Sequence, residues 1–152
     1  MKKKVSLIVL LGICLITLTG CLSKKVMSTD DFTIFAESKE MKVVDAISQY
    51  EEYEHVTEAT IALAEAWQVE FYVLVDEDSA IGMYDTNVAK FEARKQGASS
   101  ETSAEMLNYD SYSLTTGGNY MYVSRVENTI IYVDVEDEYK EDVKTFIEEM
   151  GY

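Results

Sequence analysis

The chain holds one histidine, His55, and two cysteines, Cys14 and Cys21, so little nucleophilic or metal chemistry is open to it. A Ser-His-Asp site would have to use His55, which sits in the acidic stretch Tyr50-Glu51-Glu52-Tyr53-Glu54, and no Gly-x-Ser-x-Gly elbow accompanies it. One histidine and no thiol beyond Cys21 leave no ligand set for a zinc site built from His and Cys. Asp76-Glu77-Asp78-Ser79 offers closely spaced oxygens, as a calcium loop does. The sixth and twelfth residues from Asp76 are Ile81 and Asn87, where an EF-hand needs glycine and glutamate. The cluster is better read as a helix N-cap, and so is Asp134-Val135-Glu136-Asp137-Glu138. Two such helix starts would collect a weak cation only if they converged in space. Gly117-Gly118 marks a hairpin rather than a phosphate loop, since no lysine or helix start follows. With 28 acids, carboxylate pairs of the kind that hydrolyse glycosides arise by chance. No metal and no cofactor is expected.

Tyrosine is the unusual residue, with eleven in the chain. Strand alternation puts either Tyr120 and Tyr122 or Met121 and Val123 outward, with Tyr109, Tyr112 and Tyr132 on neighbouring segments. Exposed, these five would form a rigid, amphipathic interaction surface for a protein or a cell-wall polymer. The plainer reading is that strands simply favour tyrosine.

The N-terminus carries a separate message. Lys2, Lys3 and Lys4 precede an aliphatic run from Val5 to Leu18, interrupted by Ser6, Gly12 and Thr17. That run suits a signal-peptide core and falls short of the ~20 residues of a comfortable membrane span. Leu18-Thr19-Gly20-Cys21 follows it. In this order of charge, apolar run and Leu-small-Gly-Cys, the first 21 residues resemble bacterial lipoprotein precursors. The resemblance implies cleavage between Gly20 and Cys21 and a diacylglyceryl group on the Cys21 thiol. Membrane lipid would then be a partner through acylated Cys21, on the outer (extracytoplasmic) face of the cell membrane. Beyond the lipobox, the chain is similar to small lipoproteins of Gram-positive bacteria in general layout alone.

This divides the chain into a signal peptide (1–20), a lipidated cysteine with a short tether (21–27) and one domain (28–152). Beyond Gly20, 10 basic residues face 28 acids, a formal charge of −18. Such a field repels nucleic acid and anionic headgroups and favours cationic partners.

The elements that must position these residues follow from pattern. Ser28 or Thr29 caps a helix to Ser38, and Met41–Ile47 reads as a strand. Gln49–Thr57 is an acidic loop, and Ala59–Ala66 is a strand despite its alanines. Gln68–Val75 alternates as a strand. A helix from Asp76 onward carries Ala80, Met83, Tyr84, Val88 and Phe91, with Gly97 as its stop. After a loop from Ala98 to Ser103 come strands at 105–109, 112–116, 120–126 and 129–135. Turns at Asp110-Ser111, Gly117-Gly118-Asn119 and Glu127-Asn128 are too short for parallel crossovers. Tyr139, Val143, Phe146, Ile147 and Met150 stripe a last helix that Gly151 ends. The expected fold is α+β, an antiparallel sheet with helices packed on it, in the order α-β-β-β-α-β-β-β-β-α. The expected function is a non-catalytic binding or interaction module. An envelope hydrolase using a carboxylate pair and a small solute-binding lipoprotein are the alternatives.

Overall fold

The computed structural model describes residues 23–152. The expected signal peptide, the Gly20–Cys21 cleavage site and Cys21 itself lie outside the described residues. Seven antiparallel strands and three α-helices follow in the expected order. They are α1 (Thr29–Ser38), β1 (Lys42–Asp45), β2 (Val56–Leu63), β3 (Gln68–Leu74), α2 (Glu77–Glu92), β4 (Ser100–Met106), β5 (Tyr109–Thr116), β6 (Asn119–Val126), β7 (Thr129–Glu136) and α3 (Lys140–Met150). Short 3₁₀ turns at Ile47–Gln49 and Asp137–Tyr139 complete the set. The sheet order is β1-β2-β3-β7-β6-β5-β4. After α2 the chain therefore restarts at the far edge and meanders back to close β7 against β3.

Side-chain caps open α1 and α2. No side chain caps the start of α3, so the Asp134–Glu138 cluster is not the N-cap expected of it: a 3₁₀ turn over Asp137–Tyr139 leads into the helix instead. The Ser28 hydroxyl accepts the Asp31 N–H at 3.1 Å, so Ser28 and not Thr29 caps α1. Asp76 accepts the Ser79 N–H at 2.8 Å and opens α2. Gly151, at φ 90°, ends α3 in the left-handed conformation, and its N–H and that of Tyr152 both reach the Ile147 carbonyl.

Helices cover both faces of the sheet. On one, Phe32 and Ala36 of α1 and Val143, Phe146 and Ile147 of α3 pack on Val69, Phe71, Ile131 and Val133. Phe32 and Phe71 stack with centroids 4.9 Å apart. On the other face, Ala80 and Phe91 of α2 meet Tyr72, Leu114, Met121, Val123 and Ile130. Consequently β6 is buried along both faces from Tyr120 to Val126, as a strand under two helical layers must be.

Several expected boundaries move. Strand β1 is shorter than Met41–Ile47 because the chain turns into the 3₁₀ segment, where Asp45 accepts the Ile47 N–H at 2.9 Å. Strand β2 runs Val56–Leu63 rather than Ala59–Ala66, since Glu65 and Ala66 form the turn closed by Ala64 N–H to Trp67 C=O. Helix α2 stops at Glu92, five residues before Gly97. The chain there is pinned to the Gly117 hairpin, where Thr116 Oγ1 bonds both the N–H and C=O of Gln96. Ser100–Ser103 is strand, not loop, and the first meander turn lies at Leu107-Asn108 instead of Asp110-Ser111. Asp110 stays within β5 because its carboxylate holds Arg125.

Candidate binding groove

Leu74 at the end of β3 leads directly into α2, while the segment between β1 and β2 folds over the same face. A groove of ≈ 810 Å³ lies between them. Glu70, Tyr72 and Leu74 of β3 and Tyr132 of β7 form its floor. Gly82, Met83, Thr86 and Asn87 of α2 form one wall, and Tyr50, Tyr53 and His55 form the other. The strand register places Tyr132 directly across from Glu70, so the two side chains are neighbours on one face.

A polar chain runs along the floor. The Tyr50 and Tyr72 hydroxyls are 2.6 Å apart, the Tyr72 hydroxyl donates to Glu70, and Gln68 Nε2 donates to the other Glu70 oxygen at 2.9 Å. Burial, then the neighbouring Glu70 charge and hydrogen bond, push the Tyr72 hydroxyl far above its usual pKa. Burial, aided by the Asp134 and Glu70 carboxylates, raises Tyr132 to about 12. Both therefore remain neutral donors at physiological pH. At the mouth, hydrogen bonds from Ser79 hold Asp76 below the usual carboxylate range. That is the reverse of the raised acid a carboxylate-pair hydrolase requires. Glu70 is half-buried, and it has no cationic partner among the described residues.

The five tyrosines singled out above do not share a surface. Tyr109, Tyr112, Tyr120 and Tyr122 are 4–8% exposed, so on β6 neither the tyrosines nor Met121 and Val123 face water. The reason is the second helical layer, which strand alternation alone does not reveal. Tyr109, Tyr120 and Tyr122 fall on the α1/α3 face and line a cleft of ≈ 320 Å³ with Ser111, Ser113 and Lys140. Tyr112 lies on the α2 face and its hydroxyl donates to Glu92. Tyr132 alone of the five borders the large groove.

His55 is exposed at the groove mouth beside Asp76 and Ser79, with no nucleophile and base in hydrogen-bonded sequence. The two acidic clusters do not converge. Asp76 lies at the end of the sheet where β7 begins, and Asp137 follows the end of β7, about 23 Å away at ~3.3 Å per residue. Among the described residues no three His, Cys, Asp or Glu side chains gather as a metal site would need. A second opening on the α2 face, ≈ 730 Å³, contains Arg125, whose guanidinium is already engaged by Asp110 and Glu77 at 2.7 Å each. The groove residues Tyr50 and Glu70 escaped sequence reasoning. The one available signal was the polar row Gln68, Glu70 and Tyr72 alternating with Val69, Phe71 and Val73 along this strand.

No protein-family model matches the chain, and no curated protein sequence matches it. Among solved structures, a GTP binding regulator from Thermotoga maritima is similar at a TM-score of 0.47 and 17% sequence identity, covering 79% of this chain and 84% of that one.

Proposed function

We propose that this chain is a membrane-anchored extracytoplasmic lipoprotein whose folded part is a non-catalytic binding module. Its ligand site is the groove between α2 and the Ala46–His55 segment. The anchor half of the reading rests on Lys2–Lys4, the Val5–Leu18 run and Leu18-Thr19-Gly20-Cys21. The binding half is carried by one observation: an ≈ 810 Å³ concavity in which aromatic rings, a half-buried carboxylate and apolar side chains converge. Concave, mostly preformed sites with a few placed polar groups are where small molecules bind. The residues around it that carry displaced pKa values are moved away from neutrality, which suits recognition better than proton transfer.

Gly82 supplies the test. It lies on the groove wall, and a Cβ there meets nothing within 4 Å. Gly82→Phe therefore starts from a Cβ with open space around it, sets a bulky ring at the groove wall, and gains helix propensity. A titration with a mixed library of charged and neutral small molecules, followed by ¹H–¹⁵N NMR, should shift amides of α2, Glu70 and Tyr132 in the wild type. The same amides should stay still in Gly82→Phe. Shifts confined to other surfaces, or identical in the two proteins, refute the groove as the ligand site.

A further inference from the structure

We propose that the groove takes a small organic ammonium ion, an inference that rests on the groove being the ligand site. Its centre is Glu70. Both carboxylate oxygens accept hydrogen bonds, from Gln68 Nε2 and the Tyr72 hydroxyl, and these neutral donors fix the group's orientation. Neither supplies a positive charge, and no ion pair among the described residues includes Glu70. Carboxylates withdrawn from water are ordinarily matched by a cation. Arg125 on the same face shows the ordinary arrangement, with carboxylates on both sides of it. A ligand cation above Glu70 would complete the pair.

The surrounding rings select the kind of cation. Tyr50 meets Tyr72 edge-on, with centroids 5.2 Å apart at 84°, and Tyr132, opposite Glu70, leans on Phe91 at 5.6 Å. Tyr72 is 3% exposed and acts through its hydroxyl, whereas the half-buried Tyr50 and Tyr132 and the exposed Tyr53 offer ring surface of the kind that attracts weakly hydrated ammonium groups. A small hard metal ion instead requires several oxygen ligands at once, and no cluster of three candidate ligands exists among the described residues. A neutral sugar would leave Glu70 without a counter-charge, and an anion would meet three carboxylates, Glu70, Asp76 and Asp78, against the single lysine of the lining, Lys90. The formal −18 beyond Gly20 further concentrates cations around the molecule. At ≈ 810 Å³ the groove exceeds one ammonium group, so the apolar remainder of the ligand lies along Leu74 and Met83.

The experiment uses the full chain in dodecyl maltoside micelles and two probes of nearly the same shape. Choline carries the quaternary ammonium, and 3,3-dimethylbutan-1-ol is its uncharged carbon counterpart. Ligand-observed NMR should give saturable choline binding and at least ~10-fold weaker binding of the neutral probe. Glu70→Gln keeps the shape and removes the charge, and should weaken choline by a similar factor. Gly82→Phe keeps the charge and removes the space, and should abolish binding. Equal affinity for both probes, lost in Gly82→Phe, overturns the ammonium inference while leaving the groove as a ligand site. Choline binding that survives Gly82→Phe places the cation on the general acidic surface and overturns it too, as does the absence of saturable choline binding.

Discussion

Tyr72, Tyr84, Tyr112, Tyr120, Tyr122, Tyr132 and Tyr152 all have hydroxyls pushed above the ordinary pKa of 10.0, with burial the leading cause in each. The sign of the pH effect follows. A raised folded-state pKa means that the native protein holds the proton more tightly than the unfolded chain. This stabilisation is complete below pH 10 and is lost as pH rises toward the folded values, about 12 for Tyr84, Tyr120, Tyr132 and Tyr152. Each such group steepens the loss by up to ~1.4 kcal/mol per pH unit. Alkaline unfolding between pH 10 and 12 is therefore expected to be cooperative, with tyrosinate absorbance at 295 nm rising together with the loss of circular dichroism. A smooth rise near pH 10 over an intact sheet contradicts this. The same residues mark where reading by residue type stopped. Tyr120-Met121-Tyr122-Val123 alternates two side-chain classes that can both be buried, so the pattern does not say which face meets water, or whether either does.

Elements were legible where at least one face was covered and obscure where none was. The stripe of Val143, Phe146, Ile147 and Met150 marks α3 because only that side is buried. Strand β4 has no such mark. All seven of its residues, Ser-Glu-Thr-Ser-Ala-Glu-Met, are exposed, so no alternation distinguishes it from a loop. The first meander turn was misplaced for a related reason. Asp110-Ser111 has turn chemistry, but Asp110 serves in the strand as the counter-ion of Arg125. That guanidinium, with a side chain 5% exposed, ties elements together, bonding Asp110 on β5 and Glu77 in the first turn of α2. The two ion pairs should differ in cost. Removing the cation in Arg125→Met strands Asp110, whose side chain is 20% exposed, and should cost about 3 kcal/mol. Glu77, half in water at 51%, should lose less than ~1 kcal/mol on change to Gln. Urea unfolding midpoints check the pair. Equal shifts would mean that the exposed Glu77 contact, and not the stranding of Asp110, carries the cost of losing Arg125.

At the scale of the molecule, element order was legible and sheet order was not. Short turns dictate the β4-to-β7 meander, whereas the joining of β7 to β3 is a long-range pairing with no local signal. That pairing brings the β2 start, the β3 end and the turns at Leu107-Asn108 and Glu127-Asn128 to one pole. The tether arrives at the same pole. Asn108 bonds the Lys24 N–H at 2.9 Å and its C=O at 2.8 Å, and the Lys24 ammonium lies 4.0 Å from the Tyr109 ring centroid. Cys21 is three residues earlier, so the chain between can span at most about 10 Å. An acyl group on Cys21 would therefore hold this pole, with Leu107 83% exposed at its tip, against the lipid. A body of formal charge −18 is repelled by anionic headgroups and has no electrostatic means of staying there. Among the described residues, no helix is long and apolar enough to cross a membrane. On the lipoprotein reading proposed above, lipid on Cys21 would supply retention, since two acyl chains on one cysteine suffice for stable anchoring. In cells fed labelled palmitate, the wild-type protein should carry label, begin at Cys21 and remain with membranes through a high-salt wash, while Cys21→Ser should carry none. Unlabelled wild type, or label that persists on Cys21→Ser, removes the anchor and with it the reason for the Leu107 pole to face the lipid.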